Sequence, residues 1–408
     1  MSSLFVRHVS GLVMLGCVAN LSAQKPRKHL LERIDDTGVI QLYADGFDSL
    51  SLEQKLLCYH LGNAAIAGRD IFIDQKFAHS LAIRNLLEEL FMHRRGMAEA
   101  TRQEIVRYTK LFWLNNGIHD HLTTRKRLLK LDITAFRAAL AVAMKAGAKL
   151  PSAHVVAELY DHMANPKTFI SCTNKSPEGD GDPLVESSNN LYSGVTSKDL
   201  EGFEERYPLN SRVMKVNGQV VEQPYRIGDP SRGIAPGLYA KQLAQVNKHL
   251  QYALSVAPPK TGASLKHLIE YYKTGDPKDW WNYNVAWVAD KDGTVDGING
   301  FVEVYLDARG MKGGWEAVVS FVNPAMAKDI KRLAKEAQWF EDRMPWDPKF
   351  RKKKVRGITA NAITVIMETG DSGPMSPIGI NLPNEADIRR DYGSKSVNLS
   401  NVVAGYNA

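Results

Sequence analysis

The spacing of apolar residues changes along this chain, and that change limits most strongly what it can fold into. From residue 51 to about 148 apolar positions recur every three or four residues, as the buried stripe of a helix requires. Ser51 can cap the first of these helices, Glu53 and Gln54 favour its first turn, and Leu52, Leu56, Leu57, Tyr59 and Ala64 form its stripe, with Gly68 as the expected stop. Similar patterns at 76–93, 98–113 and 124–148 predict further helices. Between Pro166 and Asn190 the periodicity gives way to Asn, Ser, Gly, Asp and Pro, which predicts a long loop and a boundary.

Beyond that loop the pattern is mixed. Apolar residues flank Asn217-Gly218, two residues that tolerate positive φ, so Val213–Val221 is expected to be a hairpin. Leu243, Val246, Leu250 and Leu254 share one face of a helix expected over Leu238–Val256, and a shorter one is expected over Ser264–Lys273. Strands are predicted at Val285–Ala289, Ile298–Leu306 and Ala317–Val322, a helix at about Ala325–Phe340, and a strand at Ile358–Glu368. Helices first and strands interspersed with helices afterwards define an α+β chain with a mainly helical region at 24–165, a linker at 166–190 and a mixed region at 191–408.

Composition removes some functions. With 44% apolar and 24% charged residues the make-up is that of an ordinary globular protein. The 52 basic and 45 acidic residues leave a formal charge of +7, gathered in short runs such as Arg351–Arg356 and Arg125–Arg127 with no aromatic interleaving, so no nucleic-acid partner is expected. At the amino terminus, Arg7 precedes an apolar run from Val9 to Ala19 and the small-residue stretch Leu21-Ser-Ala23, a pattern expected of a secretory signal over 1–23 and an exported, periplasmic or extracellular protein. The run is too short for a transmembrane helix. Cys17 offers an alternative, a lipid anchor attached after processing at that residue. Cys58 and Cys172 would then remain, either as one disulfide or, the favoured reading, as two buried thiols.

The chemistry concentrates late in the chain. In Gly297-Ile-Asn-Gly-Phe-Val-Glu-Val-Tyr-Leu306 a single carboxylate interrupts an apolar and aromatic alternation. Strand geometry puts Phe301, Glu303 and Tyr305 on one side and Val302, Val304 and Leu306 on the other, so Glu303 is expected either in water or lining a cleft where it holds a cation. Asn381 and Asn384 flank Leu382-Pro383, and proline stiffens that support, so both side-chain amides are available as donors and acceptors or bond their own backbone. Asp290-Lys-Asp292-Gly293 lacks the acid that would complete a calcium loop, and Asp371-Ser-Gly373 has no histidine partner for a nucleophilic serine; both are read as turns. Trp280-Trp281 is read as core or cleft wall.

Taken together with Tyr271–Asp279, Trp287–Asp290, Lys312–Glu316, Tyr207–Arg212, Tyr225–Gly228, Gly237–Ala240, Gly379–Asn384 and Gly393–Asn401, this stretch resembles the dipeptidyl peptidase III family of zinc metallopeptidases, in the family's block order. Gly68–Gln75 and Asn115–His119 resemble its bacterial branch, so the likeness covers about residues 40 to 405. It implies a two-lobed cleft in which a β-rich lobe holds an oligopeptide and a helical lobe carries zinc. Glu303 would bind the substrate's amino terminus, Tyr305 would lie near the scissile carbonyl, and Asn381 and Asn384 would belong to the contact with the substrate's amino terminus. The family's zinc motif, His-Glu-x-x-Gly-His, is absent from these 408 residues, and the close pair His119-Asp120-His121 among eleven histidines does not replace it. The expectation is therefore a chain carrying substrate recognition with an incomplete upper lobe, without catalytic or metal-ligand residues, inactive alone, with zinc belonging to the full-length family enzyme. The alternative is a non-catalytic peptide-binding protein. A glycosidase is disfavoured because nothing in the sequence sets a second acid opposite Glu303.

Overall fold

A computed structural model describes residues 27–322, 335–355 and 358–407. The expected signal segment, Cys17 and most of the helix expected at 325–340 lie outside the described residues. After a small hairpin, β1 (Leu30–Ile34) and β2 (Thr37–Ile40), comes α1 (Leu52–Lys76). Ser51 caps it: its hydroxyl accepts from the Gln54 amide while the Gln54 side chain accepts from the Ser51 amide, so two otherwise orphaned amides are satisfied reciprocally. The helix does not stop at Gly68. It runs two more turns because Gly68 faces the Trp315 indole, and a Cβ there would lie 2.0 Å from the ring. Helices α2 (Ser80–Met92), α3 (Glu99–Asn115), α4 (Ile133–Lys145) and α5 (Ala153–Ala164) follow. The helix expected from 124 begins only at Ile133, where the Asp132 side chain accepts from the Ala135 amide as N-cap.

Two principal cores result. Ile83, Leu87, Leu90, Ile105, Phe112, Phe136 and Leu159 pack α2 to α5 into a helical core. Leu57, Leu61 and Ile71 of α1 belong instead to a mixed core with the later elements, while Ile73 and Phe77 return to the helical one. One continuous helix therefore joins both cores. Cys58 and Cys172 are free, buried thiols in different apolar clusters, as the favoured reading had it.

The segment 166–190 is mostly irregular, with one short helix at Pro183–Glu186, and leads to a three-stranded sheet of β3 (Tyr192–Ser193), β4 (Ser211–Val216) and β5 (Gln219–Pro224). The β4–β5 hairpin turns at Asn217 and Gly218, both at positive φ (49° and 81°). Helices α7 (Ala240–Val256), α8 (Pro259–Thr274) and α9 (Pro277–Ala289) come next, the helix at Pro183–Glu186 counting as α6. The strand expected at Val285–Ala289 is thus the end of a helix. Asp276 caps it, Pro277 supplies a preset first turn, and Trp280, Tyr283 and Trp287 recur at helical spacing on its buried face.

The last large element is a five-stranded sheet in the order β6 (Val295–Glu303), β7 (Gly314–Val322), β8 (Ile358–Gly370), β10 (Ser394–Leu399), β9 (Gly379–Leu382). All neighbouring pairs are antiparallel except β8 with β10. The sheet curls back towards itself: Lys395 on β10 reaches Asp296 on β6 at 2.9 Å, and Asn384, just past β9, donates to the Val302 carbonyl of β6 at 3.4 Å. Helix α1 lies along β7, where Gln75 donates to the Gly313 carbonyl at 2.9 Å and accepts from the Trp315 amide at 2.8 Å. The arrangement is α+β, and among the described residues no helix is long and apolar enough to cross a membrane.

Candidate functional site

The curled sheet brings the ends of β6, β7 and β8 together, and each contributes a carboxylate. The strand expected at Ile298–Leu306 ends at Glu303, where the register with β7 slips between Phe301 and Glu303. That slip explains a departure from simple alternation. Phe301 and Val302 are both buried, Glu303 is half-buried, and Tyr305 lies in the following turn with 70% of its surface exposed. Phe301 does not share a face with Tyr305; it packs against Tyr225 in the core.

Glu303 is held from the other edge of the sheet. The Asn384 amide donates to its Oε2 at 3.2 Å. Burial raises the Glu303 carboxyl above its ordinary range, Asn384 opposes that rise, and the nearby Glu385 adds to it. Asn381 is one β9 residue whose side chain is committed elsewhere, accepting from the Ser396 hydroxyl at 2.9 Å while remaining exposed. The structure therefore brings Glu303 and Asn384 into direct contact and leaves Tyr305 and Asn381 at the exposed surface. Trp280 forms the adjoining wall: its indole donates to Glu385 at 2.7 Å, and Gly300 has no side chain because a Cβ there would meet the ring at 2.5 Å.

Three further acids, not singled out from the sequence, lie nearby, Glu316 and Asp371 within reach of the Glu303 charge and Glu368 within reach of Glu316. Glu316 of β7 is buried, and burial together with Asp371 and Glu303 pushes its carboxyl well above the usual range. Glu368 of β8, which accepts from Ser376, is raised to about 7 by burial. Asp371, in the turn after β8, is raised to about 7 by burial with help from Glu303, against the pull of Lys76. Burial raises all four carboxyls, one buried and three partly buried, so the group tends to hold protons near neutral pH and favours a cation. The reason given from sequence against paired carboxylates does not hold, since acids do lie near Glu303. What hid them is that Glu316 and Glu368 sit on strands read as core, and Asp371 in a segment read as a turn.

A cavity of about 360 Å³ opens beside them, lined by Lys76, His121, Phe72, Tyr305 and Asp371 among others. Lys76 is buried, and its ammonium donates to the carbonyls of Asn115 (2.7 Å) and His119 (3.0 Å). Burial lowers the His121 imidazole to about 4, with Lys76 reinforcing the shift, so it is neutral where it lies 3.8 Å from Asp371. His119 turns away and bonds the Phe169 carbonyl at 2.9 Å, so the two histidines do not converge. One neutral imidazole, carboxyls raised by burial and a buried ammonium do not fit a hydrolytic zinc centre, which takes two or more imidazole or comparable ligands around the metal.

Carboxylates thus gather at the ends of a curled sheet beside a helical wall, and the chain as a whole is similar to known peptidases. The model of peptidase family M49 matches residues 217–408. Human dipeptidyl peptidase 3 is 30% identical over 238 residues, covering 56% of this chain and 29% of the relative. The mouse protein of the same name is 25% identical over 417 residues, covering 91% of this chain and 55% of the relative. Dipeptidyl peptidase III from Caldithrix abyssi superposes with a TM-score of 0.62 at 18% identity, covering 88% of this chain and 57% of that one, and the enzyme from Corallococcus sp. strain EGB with 0.60 at 19%. Residues 217–408 thus match peptidase family M49, and the chain as a whole shares the fold of these dipeptidyl peptidase III structures. It spans 29% to 55% of the length of these two curated relatives.

Proposed function

We propose that these residues form the substrate-recognition part of a zinc-dependent dipeptidyl peptidase and bind the free amino terminus of an oligopeptide at Glu303. The observation that carries this reading is the Asn384 amide anchoring the Glu303 carboxylate near buried Glu316 and partly buried Asp371. A peptide ammonium arriving there meets one carboxylate already oriented by a neutral donor and others able to release a proton in response, so its charge is compensated without a fixed cation having to leave. Exposed Tyr305 and Asn381 flank the approach and supply a hydroxyl and an amide for the backbone that follows. An exopeptidase measures its product this way, by fixing one chain end so that a single amide reaches the reacting centre.

Zinc, in this reading, supplies the activated water, and His-Glu-x-x-Gly-His ligands for it are not among these 408 residues. Two measurements test the proposal. Calorimetry should give clearly weaker binding for an acetylated oligopeptide than for its free-amine form; equal affinity overturns the ammonium anchor. The purified 408-residue polypeptide with added zinc should release no dipeptide from a chromogenic arylamide, and measurable turnover overturns the assignment of catalysis to groups outside it. Export through the amino-terminal segment belongs to the same proposal.

A further inference from the structure

We propose that His79, Glu158 and His162 form a second, separate site for a divalent metal of the zinc type, pinning α5 to the junction between α1 and α2. The sequence reading expected no metal ligands in this chain, and the fold alone assembles these three. Glu158 and His162 are four residues apart on α5 and so share one face of that helix. His79 comes from the loop that precedes α2, more than seventy positions away in sequence. One ligand atom from each residue lies within 4.8 Å of the other two.

The side-chain environment points to a ligand. His162 is 92% buried, yet neither of its ring nitrogens has a hydrogen-bond partner among the described residues. A buried imidazole left so costs free energy that a bound metal would recover. Its Nε2 faces the Glu158 Oε1 at 3.6 Å, too long for a hydrogen bond and close to the roughly 3.3 Å that separates neighbouring ligands when metal–ligand bonds are about 2.0–2.2 Å. The His79 ring sits with its centroid 4.4 Å from that of His162. Phe77 and Phe169 pack around His162, giving the dry wall that strengthens a metal bond, while Glu158 is half exposed and leaves room for a water as fourth ligand.

Two imidazoles and a carboxylate suit zinc, or cobalt as its spectroscopic stand-in, better than calcium or magnesium, which prefer all-oxygen shells. The nearest fixed cation, the Lys126 ammonium, is occupied by the carbonyls of His162, Asn165 and Thr168 and so points at backbone rather than into the cluster. His79 also lines the large cavity that runs between Phe77–His79 and the 167–196 segment, which provides an entry path.

The test uses zinc alone on untagged, chelator-treated protein. Wild type is expected to bind one zinc ion more tightly in competition with a chromophoric chelator than either variant, with Glu158→Gln and His79→Gln each weakening binding at least tenfold, by comparison with the 10–100-fold cost of losing a mere supporting group. Cobalt should give the intense visible absorption of a four-coordinate site in wild type and not in the variants. Zinc should also raise the wild-type melting temperature and leave that of Glu158→Gln unchanged. Because Glu158 is at the surface, that variant is expected to fold even if His162→Ala does not. Zinc affinity that is unaffected by both substitutions, or no zinc binding by a folded wild type, overturns the proposal.

Discussion

Asp371 shows how much of the site's behaviour rests on where single residues sit. Its sequence neighbourhood is a polar turn, yet burial raises its carboxyl from 3.8 to about 7 and Glu368 from 4.5 to about 7. An acid whose folded pKa exceeds its unfolded one binds an extra proton in the folded state. Its stabilising contribution is complete below the unfolded value, near pH 4, and is lost as pH rises through about 7. The imidazoles of His119 and His121, lowered to about 3 and about 4, act in the opposite sense and cost stability as pH falls below about 6.5. The difference between wild type and Asp371→Asn isolates the acid: the variant is expected to lose up to about 1.4 kcal/mol less per pH unit between pH 4.5 and 7. Urea midpoints measured across that range check it, and parallel profiles would show that Asp371 ionises normally.

Residue patterns also explain which members of the site were legible. Glu303 stands out because one carboxylate breaks an apolar strand, and Asn381 and Asn384 because they bracket a proline. Glu316 follows Trp315 in a strand whose other residues are buried up to Val322, so nothing in its neighbours separates a buried acid from an edge residue. His79 and His162 carry no spacing signal at all, being brought together only by the packing of α5 onto the α1–α2 loop.

At the scale of elements, glycine positions decide how α1 meets the sheet. A glycine following a helical stripe normally reads as a stop, since it weakens a helix interior by roughly 0.5–1 kcal/mol. Here that cost is offset by contact: Trp315 of β7 lies flat where a side chain at Gly68 would be. Gly68→Ala should therefore destabilise the protein by about 1–3 kcal/mol despite the better helix propensity of alanine, because the indole and its strand must shift. Thermal unfolding measures this directly, and a neutral or stabilising result would mean that α1 does not press on β7 at Gly68. The same logic accounts for the misread segment at Val285–Ala289. Five apolar or β-branched residues in a row are compatible with a buried strand, and only the Asp276-Pro277 cap upstream distinguishes a helix.

For the molecule as a whole, the curl of the five-stranded sheet matters most, because it carries Asn384 from one edge to Glu303 at the other. Lys395 fastens that curl. Its ammonium is buried, lies 2.9 Å from Asp296 and sits 4.3 Å from the Trp287 ring centroid, tying β10 to β6 and to α9. Lys395→Met is expected to cost about 1–3 kcal/mol by leaving Asp296 without its charged donor, and to weaken binding of free-amine peptides by misplacing Asn384. A variant that unfolds as wild type does and binds such peptides unchanged would remove Lys395 from this role.

By itself the amino-acid sequence determined most of the succession of helices and strands, the hairpin at Asn217-Gly218 and the likeness to the dipeptidyl peptidase III family, because each is written in local spacing or in short contiguous blocks. Only the tertiary structure decided the slip that ends β6 at Glu303, the gathering of acids around buried Glu316, the passage of α1 through Gly68 and the meeting of His79 with α5. All four arise between segments far apart in the chain, where burial and close packing, rather than the intrinsic preference of any residue, set charge and conformation.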